Sequence, residues 1–408
     1  MSTIGNELEL HTINKEGYLI NGAPAMLSYP NEFPWLVPEG SQGQVEVNTK
    51  PTETVHQQVL EITEKVRILE QLALANGSEI VAASSYGAGK GTSNRDSKQR
   101  FAFYDALLGR DGSDVLDTIV GNHTHLSQPE NIEDKVKQHR LLLGLEPLAY
   151  AFTSTSPMRY DGVNTLNNHR IPLVRNLVRE KGVDEFAAAQ PYPYSMEDII
   201  NLQGHLVDLV VNAGKKVGFS KEDALREFSG DNTGYIPLRF RTKFPTQELR
   251  SADSAPLPYM AAIWAILKGV NDYVEKTGIP VEVGQEYYFG RDKIVLPEDR
   301  KQLEIAITEK GLESHPVYGS LAGNYASAAI NLARHGLPEE DLPYLKLAEQ
   351  IVESGMNPAS HLNRYMHTNF GDKKRFLPAE AAQGMRFMRE MYKEGLNNPL
   401  QLPSCNYH

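Results

Sequence analysis

The run Gly5-Asn-Glu-Leu-Glu9 decides the arrangement of the sheet, because its polar and apolar side chains alternate. In a β-strand, successive side chains point to opposite faces. Glu7 and Glu9 would therefore share one face, while Leu8 and Leu10 point into the core. The run predicts a strand near the N-terminus with two carboxylates close together on its polar face.

The same alternation returns in four other short runs. Gln44, Glu46 and Asn48 alternate with Val45 and Val47. In the other three runs, two polar residues are separated by one residue, and these pairs are His123/His125, Arg239/Arg241 and Glu248/Arg250. One such strand alone is typical of a sheet with one solvated face. Together, however, these positions collect carboxylates, imidazoles and guanidiniums and contain no lysine. Carboxylates gathered on one face repel each other strongly unless a cation lies among them.

The residue types at these positions indicate phosphate chemistry. Carboxylates favour Mg²⁺ or Mn²⁺ over zinc, and Mg²⁺ in proteins usually binds a few carboxylates together with phosphate oxygens. The metal therefore suggests a nucleotide. Arginines at 239, 241 and 250 fit this interpretation, because a planar guanidinium holds phosphate or carboxylate oxygens bidentately and stabilises charge in phosphoryl transfer.

The order of predicted elements indicates the fold class. Residues 1–52 predict strands and loops, and apolar residues at helical spacing from Val55 to Ala73 predict a helix with Thr52 as its candidate cap. A buried strand is predicted at Glu79–Ser84, and another short strand just before His123. Helices are predicted at about 130–150, 257–270, 317–335, 338–355 and 378–394. Because strands and helices do not alternate regularly, we predict an α+β fold with an antiparallel sheet and a helix-rich C-terminal part.

Composition excludes several classes of protein. The 408 residues carry 41 Lys and Arg against 52 Asp and Glu, a net charge of −11, and no basic run of the kind that binds nucleic acid. Neither a membrane-spanning apolar run nor a signal peptide is evident. The single cysteine, Cys405, excludes an internal disulfide and a Cys-based zinc site. We therefore expect a cytoplasmic protein without nucleic-acid or membrane partners.

Several motifs together resemble the second glutamate-cysteine ligase family, a family of carboxylate-amine ligases. They occur in the family's order and approximate spacing over roughly residues 4–270, whereas the helical region beyond 277 matches weakly. The motifs are Gly5-Asn-Glu-Leu-Glu9, Gln44-Val-Glu-Val-Asn-Thr49, Gly121-Asn-His-Thr-His125, Ser156-Pro157 through Arg170, and Arg239-x-Arg241 leading to Thr246-Gln-Glu-Leu-Arg250 and Asp253.

This resemblance implies a fold, a reaction and its cofactors. The fold is a glutamine synthetase-like antiparallel catalytic sheet flanked by helices. The cofactors are ATP and two or more Mg²⁺, with Mn²⁺ as the alternative ion. ATP would phosphorylate a substrate carboxylate, and an amine would displace phosphate from the acyl phosphate. Glutamate and cysteine are the family's default substrates. Other amino acids, amines or a peptide stay open, as does a homo-oligomeric state.

The resemblance also implies roles for individual residues. The metal ligands would be Glu7, Glu9, Glu46, Glu248 and one imidazole of His123 and His125, with His125 favoured. Arg250 would contact the phosphates of ATP, together with Arg239. Arg170 and Arg241 are candidates for the γ-phosphate or the substrate's carboxylate, two tasks that the sequence does not separate. Asn48 and Thr49 would line the substrate pocket.

The sequence suggests a boundary and leaves two alternatives. Residues 1–276 would form the catalytic ATP- and magnesium-binding part, and residues 277–408 a helical portion packed on the same domain. A metallohydrolase could use His123 and His125 as a zinc pair, although the nearby partners are Glu and Arg. A non-catalytic nucleotide-binding homologue is the second alternative, because a fold does not by itself imply activity.

Overall fold

A large antiparallel sheet forms the centre of the computed structural model, which describes residues 1–28, 32–89, 99–228, 235–312, 321–405 and 407. Its strands follow the spatial order β2-β3-β1-β5-β7-β6, and β4 pairs with another part of β1. The strands of this sheet are β1 (Ile4–Ile13), β2 (Leu36–Pro38), β3 (Gln44–Asn48), β4 (Glu79–Val81), β5 (Gly121–Ser127), β6 (Leu238–Phe240) and β7 (Thr246–Asp253).

Helices surround this sheet, and a second, three-stranded sheet lies apart from it. The second sheet contains β8 (Val281–Gly284), β9 (Tyr288–Phe289) and β10 (Ile294–Pro297). The helices are α1 (Ala23–Met26), α2 (Val55–Ala75), α3 (Gln99–Leu108), α4 (Arg110–Leu116), α5 (Ile132–Thr153), α6 (Arg170–Arg179), α7 (Met196–Lys216), α8 (Lys221–Glu227), α9 (Leu257–Thr277), α10 (Lys301–Lys310), α11 (Leu321–Ala333), α12 (Leu342–Ser354), α13 (Pro358–Phe370) and α14 (Pro378–Asn397).

The main hydrophobic core lies between one face of the large sheet and helices α2, α5 and α9. Leu8, Leu10, Val45 and Val47 are fully buried on that face, as the alternation predicts. The indole of Trp264, on α9, donates a hydrogen bond to the Asn122 side chain on β5 at 3.0 Å. Apolar side chains thus occupy one face of β1 and β3, and the opposite face is left for polar side chains.

A second hydrophobic cluster lies outside the main core. Side chains of α3, α6, α7 and α8 form it, including Phe103, Val174, Val178, Val210 and Phe228. This cluster is assembled from residues between 103 and 228, which lie on both sides of β5 in the sequence and before β6. A helical layer with its own core therefore lies beside the large sheet.

The structure confirms the α+β prediction with an antiparallel sheet and a helix-rich C-terminal part. Helix α2 forms as predicted, but Thr54 caps it by accepting a hydrogen bond from the backbone of Gln57. Thr52 is unavailable as a cap because its backbone pairs with Ile4. The second sheet interrupts the predicted helical region. It was not predicted because its strands of two to four residues are too short to show a period. Residues 317–320 of one predicted helix lie outside the described ranges.

None of the described helices is both long and apolar enough to cross a membrane.

Candidate active site

The predicted carboxylates lie together on the polar face of the large sheet. Strand pairing places Glu9 opposite Glu46, and Glu7 opposite both Asn48 on one side and His123 on the other. His125 lies opposite Glu248, which in turn lies opposite Arg239. Opposed residues in antiparallel strands point to the same face. We call this surface, which carries Glu7, Glu9, Glu46, Glu248, His123 and His125, the acidic face.

Both imidazoles contact the same carboxylate. Nδ1 of His123 lies 3.0 Å from Oε2 of Glu7, and Nε2 of His125 lies 3.2 Å from Oε1 of Glu7. Burial alone would raise the pKa of Glu7, but the two histidines outweigh it and hold that pKa well below its usual range. Burial and the neighbouring Arg250 lower the pKa of His123 to about 4. His123 is therefore a neutral imidazole at pH 7, the form that binds metal ions.

The other end of the acidic face is crowded with carboxylates. Burial, together with the carboxylates of Glu7, Glu39 and Glu9, raises the pKa of Glu46 well above its usual range. Burial and Glu39 raise the pKa of Glu9 to about 8. Like charges in a buried site disfavour ionisation unless a cation compensates them. This end of the face is thus electrostatically suited to a divalent cation.

Carboxylate and imidazole atoms approach closely enough to hold metal ions in three overlapping groups. Within each group the candidate ligand atoms lie within 4.8 Å of one another. The groups are Glu7 with His125 and Glu248, Glu7 with Glu46 and His123, and Glu9 with Glu39 and Glu46. Every metal ligand that the sequence predicts belongs to at least one group.

Glu39 is the candidate ligand that sequence reasoning missed. It follows β2, two residues after Val37, and Val37 lies opposite Glu46 in the sheet. The alternation of β2 therefore carries Glu39 to the acidic face. In the sequence, Glu39 is only a single acidic residue after Pro38. The strand that precedes it has three residues and is too short to be recognised by its period.

Glu248 is fully buried and surrounded by three arginines. Oε2 of Glu248 lies 2.8 Å from Nη1 of Arg241, while Oε1 accepts a short hydrogen bond from Arg250 and lies 3.6 Å from Arg239. Burial opposes ionisation, but Arg250 and Arg239 outweigh it and hold the pKa of Glu248 far below its usual range. Three arginines on one carboxylate carry more positive charge than it neutralises, so this end of the face is suited to an additional anion.

Arg170, the first residue of α6, lies on the other side of the site, where it contacts a bulge in β7. The register between β5 and β7 shifts near His123, which leaves an additional residue in β7 beside Arg250. Arg170 donates hydrogen bonds to the backbone oxygens of Arg250, Ser251 and Ala252 at 3.2–3.3 Å. Its Nη1 also lies 3.7 Å from Asp253. Arg170 thus stabilises the strand segment that presents Arg250.

Gly121 provides the space that Arg170 occupies. A Cβ at position 121 would overlap Nη2 of Arg170 and would lie 3.0 Å from its Cζ. The backbone amide of Gly121 donates a hydrogen bond to Glu9 at 2.6 Å. The Gly121 of the predicted His-containing motif therefore has two physical roles, because it binds a candidate metal ligand and leaves room for a guanidinium.

Asn48 and Thr49 are placed near the site but outside its cleft. Asn48 lies on the acidic face opposite Glu7. The Thr49 hydroxyl accepts a hydrogen bond from the backbone amide of Asn6 at 2.7 Å and another from the Gln58 side chain at 2.5 Å. Neither residue lines the cleft described next. Thr49 connects β1 to α2, and its role in substrate binding stays a prediction.

A cleft opens at the Glu9 end of the acidic face. Its empty volume is about 1160 Å³, counted with its open mouth. The sheet side of the cleft contains charged and polar residues, namely Glu9, His123, Arg239, Arg250 and Ser251, and Arg170 of α6 lies beside them. Arg241 does not line it. The structure therefore separates Arg170, which faces the cleft, from Arg241, which lies beside Glu248.

A buried polar network lies beneath the far end of this cleft. Glu146, on α5, accepts hydrogen bonds from the Ser251 hydroxyl at 2.9 Å and from Arg300 at 3.2 Å. Nearby, Arg175 donates to Glu304 at 2.8 Å. These residues are distant in sequence and come together only through packing of α5, α6 and α10 on the sheet. The sequence contained no local pattern from which the network could be predicted.

Comparison with known proteins agrees with this geometry. The sequence profile of glutamate-cysteine ligase family 2 matches residues 3–387. The chain therefore belongs to glutamate-cysteine ligase family 2, and the predicted resemblance is confirmed. No match was found among curated protein sequences.

Two solved structures share the fold. A glutamate-cysteine ligase from Francisella tularensis in complex with AMP aligns with a TM-score of 0.62 at 12% identity, covering 98% of this chain and 90% of that one. A bifunctional glutathione synthetase from Pasteurella multocida aligns with a TM-score of 0.60 at 12% identity. That alignment covers 96% of this chain but 53% of the synthetase, so this chain spans about half the length of the bifunctional protein. At this identity the likeness concerns the fold.

Proposed function

We propose that this protein is an ATP-dependent ligase that joins a carboxylate to an amine through an acyl phosphate. Glutamate and cysteine are the pair that family membership suggests. The observation that carries the proposal is the convergence of Glu7, Glu9, Glu46 and Glu248 on one sheet face, with arginines at both ends and a cleft beside it. Family membership supports the same conclusion independently.

The chemistry of the donor set fits Mg²⁺ or Mn²⁺. Carboxylate oxygens are hard ligands, and they form most of this donor set. A cation would also relieve the repulsion among Glu9, Glu39 and Glu46. Glu7, His125 and Glu248 would hold one ion, and Glu9, Glu39 and Glu46 a second. Ions bound there would neutralise phosphate oxygens and polarise the acyl oxygen.

The arginines divide the remaining tasks between the two ends of the site. Arg241 and Arg250 both contact Glu248, and we assign them to the phosphates of ATP, with Arg239 adding positive charge beside them. Arg170 faces the cleft, and we assign it to orienting the substrate carboxylate. A guanidinium suits both tasks because it binds two oxygens in one plane and stays charged.

Protonation states in the cleft agree with this division. The pKa of Arg250 is raised because the attraction of Glu248 outweighs the effect of burial, so Arg250 remains a cation throughout turnover. His123 is neutral at pH 7 and places a lone pair, rather than a positive charge, near the carboxylates. These residues would hold the nucleotide and the carboxylate in line before any bond changes, which is the main contribution of a protein to phosphoryl transfer.

Glu46→Gln tests the metal site with two separate readouts. An amide is a much poorer ligand for a hard cation than a carboxylate. We expect the variant to lose turnover and also to lose the rise in melting temperature that Mg²⁺ or Mn²⁺ gives the wild type. Without metal its stability should remain near that of the wild type, because burial and the carboxylates of Glu7, Glu39 and Glu9 raise the pKa of Glu46 well above its usual range and so already disfavour its charged form.

The matched control is Glu64→Gln, which removes an exposed carboxylate from α2. It should retain both turnover and metal-dependent stabilisation. Full activity in Glu46→Gln would remove Glu46 from the site. Zinc-dependent hydrolysis without nucleotide would favour the metallohydrolase, and nucleotide binding without turnover over a broad range of substrates would favour the non-catalytic alternative.

A further inference from the structure

The two sides of the cleft differ in chemistry. The sheet side is polar and charged, whereas the side formed by the helical layer and by the segment before β6 adds a group of apolar side chains next to Arg170, Arg175 and Asp117. We call this group the apolar wall, and it consists of Leu116, Ile119, Ile171, Val174, Tyr235 and Ile236. Such a surface suits a ligand group that is itself apolar.

Most of the apolar wall is the cleft-facing edge of the second hydrophobic cluster, whereas Ile171 packs against the main core. Val174 is one of the buried residues of the second cluster, and Leu116, Ile119 and Tyr235 pack against it while staying partly exposed. Partly exposed aliphatic side chains at the edge of a charged cavity leave apolar area in contact with water. Covering that area with an apolar ligand group is favourable by roughly 25 cal/mol per Å².

Helix α6 presents charge and apolar surface to the cleft together. Arg170, Ile171, Val174 and Arg175 all line it, and they lie within about one and a half turns of the helix. Arg175 donates to Glu304 and to the backbone oxygen of Ala187, so it is fixed in place beside Val174. An occupant lying along α6 would meet guanidiniums and aliphatic side chains side by side, which suits a molecule that has an anionic group next to an apolar body.

We infer that the amine substrate is an α-amino acid with a branched aliphatic or aromatic side chain, which packs on the apolar wall. Its carboxylate lies beside the guanidinium of Arg175 on α6, and its amino group points toward the carboxylate of the acyl substrate, which Arg170 orients at the Glu9 end. This inference rests on the proposed ligase function and narrows it, because the wall selects against cysteine, the family default. Ile171 and Val174 are the specificity-determining residues.

The first experiment is ADP release in the presence of Mg²⁺, with glutamate and other carboxylates as the acyl substrate. The amine series is alanine, 2-aminobutyrate, cysteine, valine, leucine and phenylalanine. We expect kcat/KM to rise by at least tenfold from alanine to the best branched or aromatic member, since each methylene in an apolar pocket contributes about tenfold or more. Cysteine should be no better than 2-aminobutyrate, which has a similar size.

The result that overturns the inference is a preference for alanine or cysteine with leucine and phenylalanine excluded, which would leave the ligase function intact. If none of the carboxylate and amine pairs supports ADP release, the proposed function is refuted, and the inference with it. The two failures are therefore distinguishable.

The second experiment compares two valines of α6. Val174→Ala should raise KM for the preferred amine by roughly five- to tenfold, because two buried methyl groups are lost, with little change in kcat. Val178→Ala is the matched control, because Val178 belongs to the same hydrophobic cluster but does not line the cleft. It should destabilise the protein similarly and leave KM unchanged.

The same pair of variants decides which substrate contacts the wall. If Val174→Ala raises KM for ATP and leaves KM for the amine unchanged, the wall binds the nucleotide base and the inference is overturned. If both variants leave every KM unchanged, the wall is only the edge of the core, and the inference is overturned as well.

Discussion

Replacing Gly121 by alanine tests whether the position of Arg170 governs turnover. The added Cβ would lie 3.0 Å from Cζ of Arg170, whereas carbon atoms in contact lie about 3.5–4.0 Å apart. The guanidinium must therefore move by about 0.5–1 Å. The backbone itself accepts alanine, since Gly121 is not among the glycines with positive φ. The perturbation thus acts mainly through the contact between residues 121 and 170, and the other close atom is the backbone oxygen of Ala252 at 3.3 Å.

The expected magnitude follows from that displacement. A shift of about 1 Å at a group that orients the substrate costs about 10²-fold, so kcat/KM should fall by about 10², equivalent to about 2.7 kcal/mol. Weakening the three hydrogen bonds from Arg170 to β7 should lower the free energy of unfolding by about 1–2 kcal/mol. The assays are initial rates of ADP release and equilibrium denaturation in urea.

Two further variants make the result decisive. Gly204→Ala, in the middle of α7, meets no atom within 4 Å and should stabilise the protein by about 0.5–1 kcal/mol without changing kcat/KM. In an Arg170→Ala background, Gly121→Ala should have little additional effect, because both changes act through one contact. Wild-type kcat/KM in Gly121→Ala, or full additivity of the two changes, would refute the reasoning.

Three other predictions follow from named contacts. Arg250→Lys should lose at least about 10²-fold in kcat despite keeping the charge, since an ammonium cannot bind two oxygens in one plane; kinetics like those of the wild type would contradict it. Lys268→Met should lower the free energy of unfolding by about 3 kcal/mol, because it leaves Asp272 buried without the ammonium now 2.5 Å away; a urea melt like that of the wild type would contradict it. Burial lowers the pKa of His139 to about 4 in the folded protein. As the pH drops from about 6.5 to 4, this histidine is therefore protonated in the unfolded chain before it is protonated in the folded one. The free energy of unfolding should fall over this range by up to about 3 kcal/mol for this residue. Urea melts should show a flatter pH dependence for His139→Gln, and an unchanged slope would count against the assignment.

The sequence predicted those parts of the site that depend on alternation within one strand. Glu7 and Glu9, and likewise Glu46, are on the polar face because the period of a strand is two, and the apolar partners Leu8 and Val45 are buried as expected. The order of the motifs then predicted the family, which the profile match confirms.

The parts that the sequence could not predict depend on tertiary packing. Register between distant strands brings His123 opposite Glu7, and no local pattern encodes it. Glu39 follows a strand too short to show a period. The apolar wall combines residues of α4, of the segment after it, of α6 and of the segment before β6, and no local sequence pattern sets these apolar positions apart. The wall is visible only when the helical layer is placed against the sheet.

The most direct test of the central claim is the identity of the nucleotide product. Phosphorylation of a carboxylate releases ADP and inorganic phosphate, whereas adenylation releases AMP and pyrophosphate. In the proposed mechanism, the acidic face and its arginines would neutralise a phosphoryl group in transit. We predict that turnover with a productive carboxylate and amine pair yields ADP and phosphate in equal amounts and no AMP. Hydroxylamine should replace the amine and give a hydroxamate. Substrate-dependent formation of AMP and pyrophosphate would contradict the account.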